Sequence, residues 1–168
     1  MSDDVLALED FLPYRLNRLA DAVSREFSAT YRRQLGITRP EWRLLATLGQ
    51  FGTMTATEVG RHSAMHKTRV SRAVTALEKR RWLTRSTDET DRRVEHLSLT
   101  RAGADTYRAM VPLGRAYQAR LSAALGTAGF ARLDRSLAEL ERLMVGDTRP
   151  GEGGAAAPGR KPPAGIGG

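Results

Sequence analysis

Residues 55–103 of the 168-residue chain have the sequence TATEVGRHSAMHKTRVSRAVTALEKRRWLTRSTDETDRRVEHLSLTRAG. This stretch decides the fold, because it predicts a short helix, a tight turn, a second and basic helix, and then a β-hairpin with a charged tip. From Arg61 to Arg101 it holds eleven Lys or Arg against five Asp or Glu, a net charge of +6 where the whole chain carries +8. Such a concentration of positive charge is typical of a surface that binds a polyanion.

The basic helix, predicted over residues 66–80, has two different faces. One face is apolar and consists of Val70, Ala73, Val74 and Leu77, which recur at helical spacing. The other face carries hydroxyl groups and cations: Lys67, Thr68, Arg69, Ser71, Arg72, Thr75 and Lys79. A solvated helix more usually carries Glu and Lys pairs, so this face favours a nucleic-acid partner over a merely soluble surface.

Capping signals and apolar stripes predict the other elements. Thr38 with Glu41, and Thr55 with Glu58, have the spacing of a capping box at a helix start. The predicted upstream helices cover residues 8–33, 39–50 and 55–62. Residues 82–86 and 94–99 alternate apolar with polar side chains, as strands do. The predicted downstream helices cover residues 100–125, with a kink at Pro112, and 130–145, with breaks at Gly126 and Gly129.

The composition limits the class of protein. The chain has no cysteine, which excludes disulfides and thiolate metal sites. It has no apolar run long enough to span a membrane and no N-terminal secretory signal, so we expect a cytoplasmic protein. Its histidines, at 62, 66 and 96, lack an accompanying acidic cluster, and no nucleotide-binding or hydrolase motif is present. We therefore expect neither a metal, nor a cofactor, nor an enzyme.

Five short segments, in this order, carry a resemblance to a known family: Pro40-Glu41-Trp42-Arg43-Leu44-Leu45, Lys67-Thr68-Arg69-Val70-Ser71-Arg72, Leu77-Glu78-Lys79-Arg80, Asp88-Glu89-Thr90-Asp91-Arg92-Arg93 and Leu97-Ser98-Leu99-Thr100-Arg101-Ala102-Gly103. Together they are similar to the MarR (multiple antibiotic resistance regulator) family of winged helix-turn-helix transcriptional regulators. The resemblance implies a mainly α fold with a small β-wing, flanked by N- and C-terminal dimerisation helices. It extends over roughly residues 8–145.

The domain organisation follows from this resemblance and from the apolar stripes of the terminal helices. We expect an N-terminal dimerisation helix within residues 1–37, a winged helix-turn-helix DNA-binding region over 38–100, and C-terminal dimerisation helices over 101–145. Gly and Pro make up 12 of the last 23 residues, which predicts a disordered tail over 146–168.

The DNA-binding residues are predicted from the polar face of the basic helix and from the wing. We expect Thr68, Ser71, Arg72 and Thr75 to meet base edges, and Lys67, Arg69 and Lys79 to bind phosphates. Thr55 and Thr57, at a helix N-terminus, are candidates for a further phosphate contact. Arg92 and Arg93 resemble the minor-groove arginines of the family, with Asp91 holding one of them in place.

The function that the resemblance implies is a homodimeric repressor of transcription. It would bind a pseudo-palindromic double-stranded DNA operator and be released by a small aromatic or phenolic anion. Arg15 or Arg18 would pair with the ligand's carboxylate and Trp42 would stack on its ring, although Trp42 is also explained as a core residue. Two alternatives stay open: a non-specific architectural DNA-binding protein, and a regulator of the same kind that responds to a larger ligand such as an aryl-CoA thioester.

Overall fold

The fold is mainly helical, with one small sheet. A computed structural model describes residues 5–145. Along the chain the elements are α1 (Leu12–Leu35), α2 (Arg39–Phe51), β1 (Met54–Thr55), α3 (Ala56–His62), α4 (Lys67–Lys79), β2 (Leu83–Thr87), β3 (Glu95–Leu99) and α5 (Arg101–Val145). The predicted tail over residues 146–168 lies outside the described residues. The chain divides into two compact units, Met1–Arg120 and Leu121–Gly168.

The first unit is built around the apolar faces of α2 and α4. Leu44, Leu45 and Leu48 of α2 are buried, and so are Val59 of α3 and Leu97 of β3. The predicted apolar face of α4 is confirmed, because its members are all buried: Val70, Ala73, Val74 and Leu77. A fully buried leucine contributes about 1.5–3 kcal/mol to folding, so this core fixes the orientation of α4.

The sheet has three antiparallel strands in the order β1-β3-β2. The predicted hairpin is confirmed as β2 and β3, in which Leu83 lies opposite Leu99 and Arg85 opposite Leu97. Strand β1, which the sequence analysis did not predict, pairs Met54 with Leu97 on the other edge of β3. It consists of two residues, too few for an alternating pattern to be visible, and its partner strand lies some forty residues further along the chain.

Two helices of this unit end in Schellman motifs without glycine. After α3, the Ala64 amide donates to the Arg61 carbonyl and the Met65 amide donates to the Gly60 carbonyl. Ala64 is the left-handed residue of this motif, with a φ of +50°. After α4, Arg81 takes the same place with a φ of +58°, and Trp82 donates to the Leu77 carbonyl at 3.0 Å. Glycine is the usual residue at this left-handed position, because other residues pay a steric cost there.

The boundaries of the outer helices differ in part from those predicted. Helix α1 begins at Leu12 rather than residue 8, because Pro13 favours the first helical turn and residues 8–10 form a turn. The predicted break at Gly126 is confirmed, since its φ of 68° and ψ of 158° are not helical. The predicted break at Gly129 is wrong, because the helix continues through this residue. Pro112 also lies inside α5 with helical torsion angles, and the kink expected there stays a prediction. No helix among residues 5–145 is long and apolar enough to cross a membrane.

Candidate nucleic-acid interface

The turn between α3 and α4 sets the position of the basic helix. Arg43 of α2 donates from Nη1 to the Ser63 carbonyl at 3.1 Å, and the Ser63 hydroxyl donates to the Val59 carbonyl at 2.6 Å. A Cβ atom on Gly60 would lie 3.1 Å from the Met65 carbonyl oxygen, which is closer than most side chains approach. The turn is therefore compact, and it is tied to the helix behind it.

The solvent side of α4 carries every residue that the sequence analysis assigned to it. Seven side chains are exposed there: Lys67, Thr68, Arg69, Ser71, Arg72, Thr75 and Lys79. The Thr75 hydroxyl donates to the Ser71 carbonyl at 3.1 Å, and Thr75 remains exposed. Within residues 5–145, no salt bridge involves any cation of this set. Its four positive charges are thus free to meet an anionic partner.

At the start of α3 the two candidate threonines differ. The Thr55 amide and hydroxyl both donate to Glu58 Oε2, at 2.7 Å and 2.9 Å, in the predicted capping box. These bonds, the one from the backbone amide above all, lower the pKa of Glu58 below its ordinary value. Thr55 therefore has no donor left for a phosphate. Thr57 is exposed, and the prediction of a phosphate contact remains for it alone.

Asp88 organises the tip of the wing, which we define as residues 88–94. Its Oδ1 accepts hydrogen bonds from the Thr90 hydroxyl at 2.6 Å, the Thr90 amide at 2.8 Å and the Asp91 amide at 3.0 Å. Its Oδ2 lies 2.9 Å from His96 Nε2 on β3. These partners, the Thr90 hydroxyl first, hold the pKa of Asp88 well below its usual range. The sequence analysis did not single out this carboxylate.

The predicted wing residues Asp91, Arg92 and Arg93 lie within this tip. Asp91 Oδ1 accepts a hydrogen bond from the backbone amide of Arg93 at 3.0 Å. Asp91 therefore holds the main chain at Arg93, and not a guanidinium as predicted. Both Arg92 and Arg93 are exposed, and neither forms a salt bridge within residues 5–145. Their side chains extend from a fixed backbone into solvent.

A triad of charged residues connects α4 to the wing. Arg85 of β2 donates from Nε and Nη2 to both carboxylate oxygens of Glu78, at 2.9 Å and 3.0 Å, and from Nη1 to Glu95 at 3.1 Å. The pKa of Arg85 is raised, chiefly by its hydrogen bonds to Glu78. Sequence reasoning missed this contact, because the three residues lie on three different elements and share no periodicity.

One cavity brings part of the predicted interface together. Its volume is about 420 Å³, and it lies between α3, α4 and the sheet. Thr57 of α3 and Lys67 and Ser71 of α4 share its wall with Arg61 and Arg85. The wing arginines lie outside this lining, so the predicted interface comprises a helix face and a separate wing tip.

The structure does not bring the three predicted ligand residues together. Trp42 packs into an aromatic cluster, stacked on Tyr31 at 5.5 Å with an interplanar angle of 14° and edge-on to Phe27 at 5.5 Å. Arg15 and Arg18 line a groove of about 540 Å³ along the N-terminal half of α1, and Trp42 is not part of its lining. The explanation of Trp42 as a core residue is the one that these contacts favour.

Comparison with known proteins identifies the family. The model of the MarR family matches residues 35–94, which contain α2 to the wing tip. A MarR family transcriptional regulator from Silicibacter pomeroyi is 30% identical to this chain, with a TM-score of 0.74 over 83% of this chain and 99% of that one. The chain belongs to the MarR family. It is thus a DNA-binding transcriptional regulator with a winged helix fold.

Two further solved structures share the fold at lower identity. BpsR of Bordetella bronchiseptica, whose DNA binding is regulated by 6-hydroxynicotinic acid, is 20% identical, with a TM-score of 0.64 over 76% of this chain and 98% of that one. NadR, solved in complex with 4-hydroxyphenylacetate, is 21% identical, with a TM-score of 0.67 over 85% and 98%. A search of the curated proteins finds no match for this MarR regulator.

Proposed function

We propose that this MarR regulator is a homodimeric repressor that binds a pseudo-palindromic operator and leaves it when a small aromatic or phenolic anion binds. The observation that carries the proposal is the exposed face of α4, where the cations have no intramolecular ion pair among the described residues, beside a wing tip that presents Arg92 and Arg93. A helix face for the major groove and a tip for the minor groove suit sequence-specific binding.

The DNA contacts divide by chemistry. In the recognition helix, which we take to be α4, Arg72 is the best purine reader, because its guanidinium can donate to O6 and N7 of guanine together. Thr68, Ser71 and Thr75 supply short polar contacts to base edges. Lys67, Arg69 and Lys79 bind phosphates, and so does Thr57. Arg92 and Arg93 enter the minor groove, where a narrow A·T-rich tract attracts a guanidinium.

Dimerisation is supported by apolar side chains that the single chain leaves in solvent. On α1, Leu12 and Leu19 are 48% and 56% exposed. In the second unit, several large side chains are exposed as well: Leu125, Leu133, Leu137, Leu143 and Met144. A second copy that covers these surfaces offsets the cost of leaving them in water. We assign dimerisation to residues 1–37 and 101–145, and DNA binding to residues 38–100.

An aromatic or phenolic anion as effector is supported by the relatives and by the groove on α1. The ligands of both BpsR and NadR combine a six-membered aromatic ring with an acid group. The groove lined by Arg15 and Arg18 has a volume of about 540 Å³, within the range of small-molecule sites, and Glu9 also lines it. Its apolar walls include Leu12 and Leu19 of the proposed dimer surface, so the ligand would lie between the two subunits. A carboxylate would pair with either arginine there. A ligand that binds one dimer geometry better than another shifts the population toward it.

Fluorescence anisotropy tests this proposal. The purified chain is titrated onto labelled DNA from the region upstream of its own gene, at near-physiological salt and with excess competitor DNA. The probes are 6-hydroxynicotinate and 4-hydroxyphenylacetate, and the uncharged amide of the latter is the matched control. We expect saturable binding with a Kd in about the nanomolar range. One of the two acids should release the protein from the DNA, and the amide should not. Binding that competitor DNA abolishes would instead indicate a non-specific, architectural protein.

A further inference from the structure

The guanidinium of Arg80 joins the ends of two helices that are distant in sequence. Arg80 is the C-cap of α4. Its Nη1 donates to the carbonyl oxygen of Leu35 at 3.0 Å, and its Nη2 donates to that of Gly36 at 2.8 Å. Leu35 is the last residue of α1 and Gly36 is its C-cap. One side chain therefore holds the C-terminal ends of α1 and α4 together.

The chemistry of this contact suits a rigid connection. The last carbonyls of a helix have no intrahelical partner, and they carry the partial negative charge of the helix dipole. A guanidinium offers two parallel donors in a fixed plane, so it fits two adjacent carbonyls better than an ammonium does. The guanidinium also lies 5.0 Å from the centre of the Trp82 ring at the base of the wing. Three parts of the fold thus meet at Arg80.

No second side-chain connection of this kind is present in the part of the chain that the structure describes. Among residues 5–145, the hydrogen bonds from Arg80 are the only ones by which a side chain joins α1 and its cap to α4 and its cap, and no salt bridge connects them. Other side-chain contacts of α1 go to α2, for example the salt bridge of Asp21 with Arg39, and to α5, where Tyr117 and Arg120 both bind Glu26. A movement of the end of α1 therefore reaches α4 directly through Arg80.

We propose that Arg80 is a positioning residue that transmits displacements of α1 to the recognition helix. The inference rests on the proposed function, because it takes α1 to be the helix that contacts the second subunit and the effector. DNA binding itself does not depend on that proposal, since it follows from membership of the family. Arg80 need not touch DNA in this role. Together with the buried face of α4, it holds the C-terminal end of this helix in place, and so affects how the exposed face meets the groove.

A double-mutant cycle on DNA affinity tests this coupling. Gly36→Ala strains the end of α1, because Gly36 has a φ of +62°, while the added methyl group would lie 3.9 Å from Arg80 Nη2 and not clash with it. Arg80→Gln removes the fork to the two carbonyls. We expect Gly36→Ala to weaken binding about fivefold and Arg80→Gln about tenfold. The double variant should lose less than the product of the two losses and stay close to the loss of about tenfold in Arg80→Gln alone, because among residues 5–145 the Arg80 fork makes the only side-chain hydrogen bonds from α1 and its cap to α4 and its cap.

Arg81→Gln is the matched control. Arg81 is adjacent and exposed, and its side chain forms no hydrogen bond or salt bridge within the described residues, so this variant loses the same charge without losing a contact. In this background, Gly36→Ala should keep its own loss of about fivefold. Arg80→Lys, which retains the charge but not the fork, should recover only part of the affinity.

Three results would overturn the proposal. The first is a double variant, Gly36→Ala with Arg80→Gln, whose loss of DNA affinity equals the product of the two single losses. The second is a loss of affinity in Arg80→Gln no larger than that in Arg81→Gln. The third is a Gly36→Ala variant that binds DNA as tightly as the unaltered chain. Circular dichroism at the titration temperature verifies that every variant is folded. The cycle uses one fixed duplex without competitor, so it gives an answer even if operator preference or dimerisation fails in its own test.

Discussion

A Cβ atom added to Gly103 would lie 2.0 Å from the carbonyl oxygen of Trp82. The first turn of α5 thus packs directly on the main chain at the base of the wing. Thr100 completes the junction: its amide donates to the Trp82 carbonyl at 3.0 Å, and its hydroxyl donates to the Arg81 carbonyl at 2.7 Å. The same hydroxyl accepts a hydrogen bond from the Gly103 amide at 3.1 Å. Only glycine fits between these backbones.

Gly103→Ala should destabilise the protein strongly. The methyl group would overlap a backbone oxygen that cannot move without breaking the junction, so we expect a loss of about 3 kcal/mol or more in the free energy of unfolding. Chemical denaturation monitored by circular dichroism measures this loss. Gly114→Ala, in the same helix, is the control, because its Cβ would meet only Phe27 at an ordinary 3.9 Å. It should gain about 0.5–1 kcal/mol. Equal effects of the two changes would contradict the close approach.

Ala64→Gly should stabilise the protein. Ala64 has a φ of +50° in the turn between α3 and α4, where an L-residue pays a steric cost of about 1 kcal/mol that glycine avoids. We expect a higher melting temperature for this variant. Ala109→Gly, at an exposed position inside α5, should lose about 1 kcal/mol, because glycine is a poor helix former. A loss at both positions would show that Ala64 is not strained.

Asp88 should impose a pH dependence on the wing tip. The pKa of Asp88 is held below the ordinary value of 3.8, so the folded tip favours the carboxylate. As the pH falls, Asp88 is therefore protonated in the unfolded chain before it is protonated in the folded one. The contribution of Asp88 is therefore complete above pH 3.8 and is lost as the pH falls below that value through the folded pKa. In an NMR titration, the amide signals of Thr90 and Asp91 should move in this acidic range. The movement should be smaller in Asp88→Asn, and an identical titration in both proteins would refute the assignment.

Leu19→Glu should weaken the proposed dimer. Leu19 is 56% exposed on α1, and a carboxylate there would lose its hydration in a subunit interface. Sedimentation equilibrium should show the unaltered chain as a dimer and this variant shifted toward monomer at the same concentration. Gln34→Glu, at an exposed polar position of the same helix, introduces the same charge and serves as the control. A monomeric unaltered chain would contradict the proposed assembly.

The sequence was most informative where structure is local. The Thr38 and Glu41 capping box forms as predicted, with the Thr38 amide donating to Glu41 Oε2 at 3.0 Å, and it places the start of α2 correctly at Arg39. The apolar spacing from Val70 to Leu77 likewise identified the buried face of α4. Local patterns of this kind depend only on residues within one or two turns.

The sequence was least informative where distant residues meet. Met54 pairs with Leu97, and Arg80 reaches the carbonyls of Leu35 and Gly36, contacts that no periodicity indicates. The left-handed residues Ala64 and Arg81 were invisible for a different reason, because the glycine that normally marks this conformation is absent from both positions. Trp42 was ambiguous in sequence, and only its packing against Tyr31 and Phe27 distinguishes a core residue from a ligand contact.

The most direct test of the central claim compares Arg72→Ala with Arg92→Ala on a panel of duplexes that differ from the operator by single base pairs. Arg72 on α4 should read one base, so its loss should abolish discrimination at that position, worth about 1–3 kcal/mol, and leave discrimination elsewhere intact. Arg92 on the wing should bind the backbone and minor groove, so its loss should weaken binding to every duplex by a similar factor. Parallel losses across the panel for both variants would contradict the division between a recognition helix that reads bases and a wing that anchors the complex.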